Sequence, residues 1–274
     1  MKQIAEEKTA IVYEGDCLKI IPQKIPANTV DLIVTSPPYA DQRKDNYGGV
    51  CADEYVEWML PRTEELKKCL KPTGSFVLNI KERAINGERH PYVIELIQGM
   101  RTQGWRWVEE YCWHKKNCYP GRWPNRFRDS WERLLHFTKE KRFKMNQDAV
   151  MVPMGDWKEA RLKHLSKTDM KRDNSAHGNG FGKRIANWQG RKLAYPTNVL
   201  HMATECNNSG HPAAFPEKLP NWFIRLFTDS GDLVLDPFAG GATLIAARKL
   251  GRASIGIDLS SEYCDLMRER LGIR

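Results

Sequence analysis

One stretch near the end of the chain constrains the fold more than any other. The apolar run Leu233-Val234-Leu235 is typical of a short buried strand, and the glycine-bearing turn Asp236-Pro237-Phe238-Ala239-Gly240-Gly241 follows it. A helix from Leu244 to Leu250 and a second strand from Ala253 to Asp258 complete the unit. In doubly wound α/β folds, a strand, a glycine turn, a helix and an acidic strand end bind a nucleoside. The pattern therefore predicts an α/β protein with an open, mostly parallel sheet.

A dinucleotide is the first alternative ligand for such a turn. Dinucleotide binding uses the spacing G-x-G-x-x-G, whose glycines let the backbone approach the pyrophosphate. That spacing is absent from the turn after Leu235. The turn therefore indicates a nucleoside ligand without a pyrophosphate.

A second motif lies far upstream, where Thr35-Ser36-Pro37-Pro38-Tyr39 follows the apolar run Val30 to Val34. The two prolines end the predicted strand because neither can donate a backbone hydrogen bond. The rigid turn aims the Ser36 hydroxyl and the carbonyls of Ser36 and Pro37 outward as acceptors, beside the flat face of Tyr39. Prolines also follow strands in ordinary loops, but acceptors next to an aromatic ring suit a planar base that carries an amino group.

Together the two motifs resemble the S-adenosylmethionine-dependent DNA amino-methyltransferases, which methylate N4 of cytosine or N6 of adenine. The catalytic motif precedes the cofactor motif with a variable region between them, which is similar to the β arrangement of that family. The resemblance covers roughly residues 10 to 113 and 195 to 274. It implies a doubly wound, Rossmann-like methyltransferase sheet with an inserted basic target-recognition region.

The resemblance also implies roles for individual residues and S-adenosyl-L-methionine as the cofactor. It makes Ser36, Pro37, Pro38 and Tyr39 the catalytic residues. It assigns Asp236, Phe238 and Gly240 to the methionine and adenosine pocket, Asp258 to the ribose and Asp16 to the adenine ring. The segment His211 to Pro216 matches the family's stretch that borders the cofactor.

Two positions depart from the family pattern. The usual Phe-x-Gly-x-Gly ends here in Ala242, and alanine tolerates a helical backbone but not a positive φ. Phe215 stands where many relatives have lysine, so a lysine contact to the cofactor carboxylate is in doubt.

The implied chemistry follows from the electronic structure of an exocyclic amine. Its lone pair is delocalised into the base until two fixed acceptors, Ser36 Oγ and the Pro37 carbonyl, draw the nitrogen toward a tetrahedral geometry. Direct in-line methyl transfer then needs no covalent enzyme intermediate. Because a paired base cannot present its amine, the nucleotide must leave the duplex and stack on Tyr39.

The cysteines are compatible with direct methyl transfer and argue against a cysteine nucleophile, a metal site and a disulfide framework. C5-cytosine methyltransferases attack with a cysteine that follows a proline, and the chain has no Pro-Cys dipeptide. Its seven cysteines form no C-x-x-C pair, which argues against a metal site and against a disulfide framework. Reduced thiols favour a cytoplasmic location.

The positive charge of the chain is concentrated in its middle. Residues 114 to 192 hold 20 lysines and arginines against 8 acidic residues, whereas the whole chain holds 43 against 34. Such a basic segment is typical of a surface that binds phosphates. Basic runs also occur on ordinary solvated surfaces, but here arginines alternate with aromatic residues.

These observations predict a division of the chain. Residues 1–144 and 193–274 form the catalytic, cofactor-binding domain, and 145–192 form the target-recognition region, with a basic loop at 115–130 contributing. Trp131 to Phe137 is predicted to be a closing strand of the sheet. The DNA-contacting side chains are predicted to be Arg43, Lys44, Arg122, Arg126, Arg128, Lys183 and Arg184.

The first half of the catalytic domain gives two further predictions. A helix is expected from Glu54 to Leu70, ended by Lys71-Pro72-Thr73-Gly74 before a strand from Ser75 to Ile80. The N-terminus has no apolar signal region, and no apolar run approaches the roughly eighteen residues of a membrane span. We therefore expect no membrane association.

Several alternatives stay open. Methylation of RNA or of a protein glutamine would use similar acceptors, although the basic middle favours nucleic acid. A DNA-binding relative without catalysis is a second alternative. Serine at position 36 favours cytosine N4 over adenine N6 by a small margin. The β arrangement is compatible with a homodimer, and the sequence leaves open both the recognition site and a cognate restriction enzyme.

Overall fold

The computed structural model describes residues 10–41, 49–118, 121–155, 166–167, 190–204 and 216–273. Several residues singled out from the sequence lie outside these ranges: Arg43, Lys44, Lys183, Arg184 and residues 211–215 of the segment His211 to Pro216, with Phe215 among them. The chain divides into two compact units, Met1–Asn146 with Asn198–Arg274, and Gln147–Thr197.

The described elements alternate between strands and helices. The strands are β1 (Ala10–Glu14), β2 (Val30–Thr35), β3 (Leu70–Ile80), β4 (Ala84–Ile85), β5 (Glu88–Arg89), β6 (Arg106–Lys115), β7 (Trp131–Thr138), β8 (Val152–Pro153), β9 (Leu193–Ala194), β10 (Val199–Met202), β11 (Leu233–Asp236) and β12 (Ala253–Asp258). The α-helices are α1 (Cys17–Lys24), α2 (Tyr55–Cys69), α3 (Tyr92–Thr102), α4 (Lys218–Phe227), α5 (Ala242–Lys249) and α6 (Ser261–Leu271).

The first unit is built on an eight-stranded sheet in the order β1-β12-β11-β2-β3-β7-β6-β10. Neighbouring strands run parallel, except that β7 is antiparallel to both β3 and β6. A parallel sheet needs a cover on each face because its strands are apolar on both sides. The predicted α/β fold with an open, mostly parallel sheet is confirmed.

Adjacent residues of β7 show the two covered faces. The ring of Phe137 packs against Phe76 and Trp105, in the same core cluster as residues of α1, α2 and α3. The next ring along the strand, His136, lies on the opposite face, 4.5 Å from the Phe227 ring of α4. Helices therefore cover both faces of the sheet, as a doubly wound fold requires.

The strand directions place the strand ends that carry polar residues along one edge of the sheet. The strands β1, β12, β11, β2, β3 and β6 all end at this edge, whereas β7 begins there because it runs in the opposite sense. Ligands of open α/β sheets bind in the crevice outside the carboxyl ends of the strands. This edge is therefore the place to look for a site.

Two details of the predicted elements are corrected. The helix does end before Lys71, but Lys71 to Gly74 is not a separate loop, because it forms a bulge within β3, where Val30 pairs with Leu70 and Leu32 with Ser75. Trp131 to Phe137 is a strand but does not close the sheet, since β6 and β10 lie beyond it.

The second unit is described over part of its length. A 3-10 helix, Gln147–Val150, precedes a two-stranded ribbon of β8 and β9. The Met154 amide donates to the Lys192 carbonyl at 3.1 Å, which continues the ribbon by one bond. The target-recognition role predicted for 145–192 stays a prediction.

Two further findings concern only the described part of the chain. No helix in these ranges is long and apolar enough to cross a membrane. No group of three or more potential metal ligands occurs in the same ranges.

Candidate active site

The proline motif forms a fixed loop directly after β2. Pro37 is buried, whereas Ser36, Pro38 and Tyr39 are partly exposed. The Tyr55 hydroxyl at the start of α2 donates to the Pro38 carbonyl at 2.9 Å. The Pro37 carbonyl has no hydrogen-bond partner among the described residues. The loop therefore keeps the acceptors that the sequence predicted.

A buried carboxylate holds Tyr39, the aromatic residue of the proline motif. The Tyr39 hydroxyl donates to Glu132 Oε2 at 2.7 Å, and Glu132 is 6% exposed at the start of β7. Asn79 Nδ2 donates to the same oxygen at 3.0 Å, while Lys115 Nζ donates to Oε1. Burial of the Tyr39 hydroxyl and the adjacent Glu132 charge raise the Tyr39 pKa well above its ordinary value. Tyr39 is therefore a neutral donor with a fixed ring.

This network also orients the Ser36 hydroxyl. Ser36 Oγ donates to the Tyr39 hydroxyl oxygen across 3.4 Å, because the Tyr39 proton is already directed to Glu132. The hydrogen of Ser36 consequently points toward Tyr39. Its lone pairs stay available to accept a hydrogen bond.

The acidic residue at the end of β11 joins the two motifs. Thr35 Oγ1 donates to Asp236 Oδ1 and Thr243 Oγ1 donates to Oδ2, each at 2.6 Å. The Phe238 amide adds a bond of 3.2 Å to Oδ1. Asp236 is 1% exposed, and burial raises its pKa to about 6 although the two threonines and the Phe238 amide oppose the shift. Asp236 therefore ties the glycine turn to the residue before Ser36.

The acidic residue at the end of β12 is also buried. Asp258 is 6% exposed, and its Oδ1 accepts the Ser260 amide at 2.7 Å. Burial raises the Asp258 pKa to about 6; the Ser260 amide opposes the shift, while the charge of Asp236 adds to it. A carboxylate offers about four acceptor positions, so hydroxyl donors would stabilise its charged form here.

Asp16 and two aromatic rings lie at the same edge. Asp16 caps α1 through the Leu18 amide, and Arg62 of α2 reaches both of its oxygens at 3.1 Å. The Arg62 guanidinium lies 4.3 Å from the centre of the Trp58 ring, which is 5.7 Å from the Phe238 ring. These residues form an aromatic and charged wall beside the ends of β1 and β11.

The glycine turn explains why alanine is accepted at position 242. Gly241 adopts φ 95° as the residue before α5, and Ala242 is the first residue of that helix. The left-handed conformation thus falls on glycine, where it carries no Cβ penalty. Ala242 needs only a helical backbone, so this departure from the family pattern is compatible with the turn.

The basic loop lies between β6 and β7. Arg122 and Arg128 are exposed, as a phosphate-binding role requires. Arg126 is partly buried, with its guanidinium 5.0 Å from the centre of the Trp123 ring and Nη1 3.9 Å from Asp129 Oδ2. The three arginines therefore differ, because two face solvent and one packs within the loop.

Comparisons with known proteins agree with this geometry. A family model described as DNA methylase, of the N6 and N4 type, matches residues 30–269. The chain belongs to this family. The Type II methyltransferase M.PvuII of Proteus hauseri is 30% identical over 92% of this chain and 80% of its own. M.BglII of Bacillus subtilis is 31% identical over 93% of this chain and 67% of its own.

Solved structures show the same relationship. The PvuII DNA methyltransferase, described as cytosine-N4-specific, aligns with a TM-score of 0.71 and 26% identity, covering 95% of this chain and 86% of that one. The M1.HpyAVI complex with SAM shares the fold, with a TM-score of 0.59 at 21% identity.

As a DNA amino-methyltransferase, the protein uses S-adenosyl-L-methionine and acts on DNA. The described residues fit that cofactor. Asp258 is a buried carboxylate whose charge requires further donors, and ribose hydroxyls are such donors. The Trp58 and Phe238 rings, 5.7 Å apart, offer apolar surface at the same edge of the sheet. A buried carboxylate and an aromatic surface at one edge suit a nucleoside.

Sequence reasoning missed several residues of this site. Glu132, Asn79 and Lys115 contact Tyr39 or one another, and Trp58 and Arg62 of α2 lie beside Phe238 and Asp16. A usable signal was present for two of them. Asn79 directly follows the apolar run Phe76-Val77-Leu78, and Glu132 lies at the start of the predicted strand Trp131 to Phe137. Polar groups that a sheet buries require partners.

Proposed function

We propose that the protein methylates N4 of cytosine in duplex DNA, at a specific site. Ser36 at the first position of the catalytic motif supports cytosine, as does the similarity to the cytosine-N4-specific PvuII enzyme. The observation that carries the proposal is the Ser36 hydroxyl, whose hydrogen is directed to Tyr39 so that its lone pairs face outward. Adenine N6 offers the same two hydrogens and is the second candidate.

We infer the following roles for the catalytic residues. The flipped base stacks on Tyr39 while its amino hydrogens bond Ser36 Oγ and the Pro37 carbonyl. These bonds localise the lone pair on the nitrogen, which attacks the methyl carbon in line and then loses one proton. When bound, S-adenosyl-L-methionine would supply an electrophilic methyl group on its sulfonium sulfur, so the sulfur–methyl bond would break as the nitrogen–methyl bond forms and the proton lost by the nitrogen would pass to solvent. Pro37 and Pro38 keep the acceptors rigid, so little reorganisation accompanies the reaction.

Glu132 acts as a positioning residue in this proposal. Its carboxylate can only accept, so the Tyr39 hydroxyl must donate to it, and Ser36 in turn must donate to Tyr39. Lys115 and Asn79 keep the buried carboxylate satisfied. The result is a chain of two hydrogen bonds with one defined direction.

The cofactor roles implied by the family resemblance are retained as part of the proposal. Asp258 holds the ribose hydroxyls, and Asp16 borders the adenine ring. Phe238 and Gly240 line the pocket. Asp236 shapes that pocket through Thr35 and Thr243, since both its oxygens already accept hydrogen bonds.

DNA recognition is proposed for the basic middle of the chain. Residues 145–192 read the target sequence, and the exposed Arg122 and Arg128 contact phosphates. Arg126 supports the loop instead of contacting DNA directly. The predicted contacts of Arg43, Lys44, Lys183 and Arg184 belong to this proposal on sequence grounds alone.

We also propose that the protein forms a homodimer and belongs to a restriction-modification system. A homodimer fits the β arrangement of motifs, and the named relatives are Type II methyltransferases, which supports a restriction-modification context in the cytoplasm. Sedimentation of the purified protein at micromolar concentration tests the dimer.

The experiment that tests the function transfers labelled methyl from S-adenosyl-L-methionine to unmethylated duplex DNA. Nucleoside digestion with mass spectrometry identifies the base, and sequencing of methylated positions maps the recognition site. N4-methylcytosine is the expected product, whereas N6-methyladenine would overturn the choice of base. Label on RNA or protein, or cofactor binding without transfer to any DNA, would support the alternatives left open by the sequence.

A further inference from the structure

The basic loop carries an aromatic side chain in an unusual position. Phe127 is 96% exposed, while the next most exposed large hydrophobic among the described residues, Leu259, is 58% exposed. Arg126 and Arg128 flank it in sequence. An exposed aromatic ring between positively charged side chains suits a partner that combines phosphates with stacking faces, as nucleic acids do.

The loop around Phe127 is held by specific contacts. Asp129 forms salt bridges of 3.0 Å with Lys81, at the end of β3, and with Arg89 of β5. Burial works against the charge of Asp129, but these two cations outweigh it and lower the Asp129 pKa. Asp129, two residues after Phe127, therefore fixes the loop to the edge of the sheet at which β3 ends.

Specific contacts on both sides of Phe127 hold the loop, whereas Phe127 itself projects into solvent. Before it, the Arg126 guanidinium stacks over Trp123, and Asn125 Nδ2 approaches Gly87 of the hairpin between β4 and β5. After it, Asp129 is held by its salt bridges. The contacts of Arg126 and Asp129 therefore fix the loop while Phe127 stays exposed.

The position of Phe127 relative to the active site follows from chain length. Glu132, which accepts a hydrogen bond from the Tyr39 hydroxyl, lies five positions after Phe127 in the chain. An extended chain of that length spans at most about 17 Å. A flipped nucleotide stays covalently bonded to its strand, so the gap that it leaves in the stack lies within similar reach of its pocket.

We propose that Phe127 enters the duplex and stacks in the space that the target base vacates, while Arg122 and Arg128 contact the flanking phosphates. The inference rests on extrusion of the target base under the proposed function. Extrusion leaves neighbouring bases unstacked, which is unfavourable, and an inserted aromatic ring restores part of the lost stacking. Insertion also keeps the base from returning.

The test compares two duplexes that carry the mapped site and differ only opposite the target base. One has the normal complementary base, and the other has an abasic position, which makes extrusion easier. Single-turnover methylation is measured for the wild type, Phe127→Ala and Phe127→Trp. Trp107→Ala serves as control, because Trp107 is a partly exposed aromatic at the opposite end of β6.

We expect Phe127→Ala to slow methylation of the paired duplex by roughly 5- to 100-fold, the range that aromatic stacking contributes. On the abasic duplex the difference should fall below about 3-fold, since extrusion no longer limits the reaction. Phe127→Trp should stay near the wild type on both, and Trp107→Ala should change neither rate.

Three outcomes would overturn the inference. These are an unchanged rate of Phe127→Ala on the paired duplex, equal slowing on both duplexes, or a change in oligomeric state that assigns Phe127 to a contact between copies of the chain. Failure of the proposed function is distinguishable, because the wild type would then methylate neither duplex.

Discussion

At the scale of single residues, the active site depends on the direction of its hydrogen bonds. Ser36, Tyr39 and Glu132 form a sequence of donors that ends on a buried acceptor. A change that preserves size but reverses one donor therefore tests the mechanism more sharply than a truncation. The pKa shifts of the two buried aspartates offer a second test at this scale.

Glu132→Gln should reverse the direction of the network. Lys115 keeps the amide oxygen on its own side, so the amide NH2 faces Tyr39 and opposes the Asn79 donor. The Tyr39 hydroxyl then accepts from the amide and donates to Ser36, which turns the Ser36 hydrogen toward the base. We expect kcat to fall about 10- to 100-fold, as for loss of a hydrogen bond to a charged group, with cofactor Kd unchanged. Single-turnover rates and calorimetric titration measure the two quantities.

Matched variants separate the effect of hydrogen-bond direction from the effect of side-chain packing in the network of Ser36, Tyr39 and Glu132. Tyr39→Phe keeps the stacking ring and should lose less activity than Tyr39→Ala, while Ser36→Ala removes the acceptor directly. Cofactor affinity should persist in all three. An unaltered rate in Glu132→Gln, or a parallel loss of cofactor binding, would contradict the assigned role.

Cofactor affinity should depend on pH through Asp258. Its pKa is about 6 without ligand because of burial, and ribose hydroxyls favour the ionised form, so binding lowers that pKa. Affinity should therefore rise with pH up to about 6 and level off above it, weakening about 10-fold per unit below. Calorimetric Kd values between pH 5 and 7.5 provide the measurement.

Asp258→Asn is the control for this pH dependence. It should bind the cofactor more weakly at pH 7.5 and show a flatter profile. A slope identical to that of the wild type would mean that Asp236, whose pKa is also raised to about 6, controls binding instead.

At the scale of elements, the bulge in β3 sets how α2 leads into the sheet. A Cβ on Gly74 would lie 2.7 Å from Leu70 Cδ1 and 2.9 Å from the Asp31 carbonyl oxygen. The backbone atom cannot move without disturbing β2, which leads to the catalytic loop. Gly74 is therefore required by close packing, although its φ is not positive.

Gly74→Ala should lower the free energy of unfolding by about 1–3 kcal/mol, the usual cost of overpacking. Thr73→Ala is the matched control, since Thr73 lies in the same bulge but is exposed, and it should change stability by less than about 0.5 kcal/mol. Urea unfolding followed by circular dichroism gives both values. Equal effects in the two variants would contradict the packing argument.

At the scale of the whole molecule, buried ionisable groups make the free energy of unfolding depend on pH, and their contributions have opposite signs. His136 is 1% exposed, and burial lowers its pKa to about 3. The unfolded chain then binds more protons below pH 6.5, so the contribution of His136 is present above that pH and is lost as pH falls. Asp236 and Asp258 act in the opposite sense, since their raised pKa values favour the folded state as pH falls from about 6 toward 4.

His136→Gln isolates one of these contributions. Glutamine can keep a hydrogen bond to Ser75 but does not titrate. The stability advantage of the wild type over this variant should shrink by about 3 kcal/mol between pH 7 and pH 4.5, at about 1.4 kcal/mol per pH unit. Urea titrations at several pH values measure it, and a constant difference would show that His136 does not titrate in this range.

Much of the fold and part of the candidate site could be predicted from local sequence. The strand ending at Asp236, the helix after it and the strand ending at Asp258 were predicted within a few residues, because apolar runs and glycine turns are local features. The catalytic loop was predicted for the same reason. The assignment of Trp131 to a closing strand was wrong, because no local pattern tells which strands lie beside it.

The sequence by itself determined the family and its class of chemistry, since each of the two motifs that carry the resemblance, Ser36 to Tyr39 and Asp236 to Asp258, is one continuous stretch of the chain. Only the tertiary structure decided what supports that chemistry. Tyr39 meets Glu132 across 93 positions of sequence, and it does so because β7 runs against β3 and begins where the parallel strands end. Strand order and direction follow from packing of the whole sheet, which no local spacing encodes.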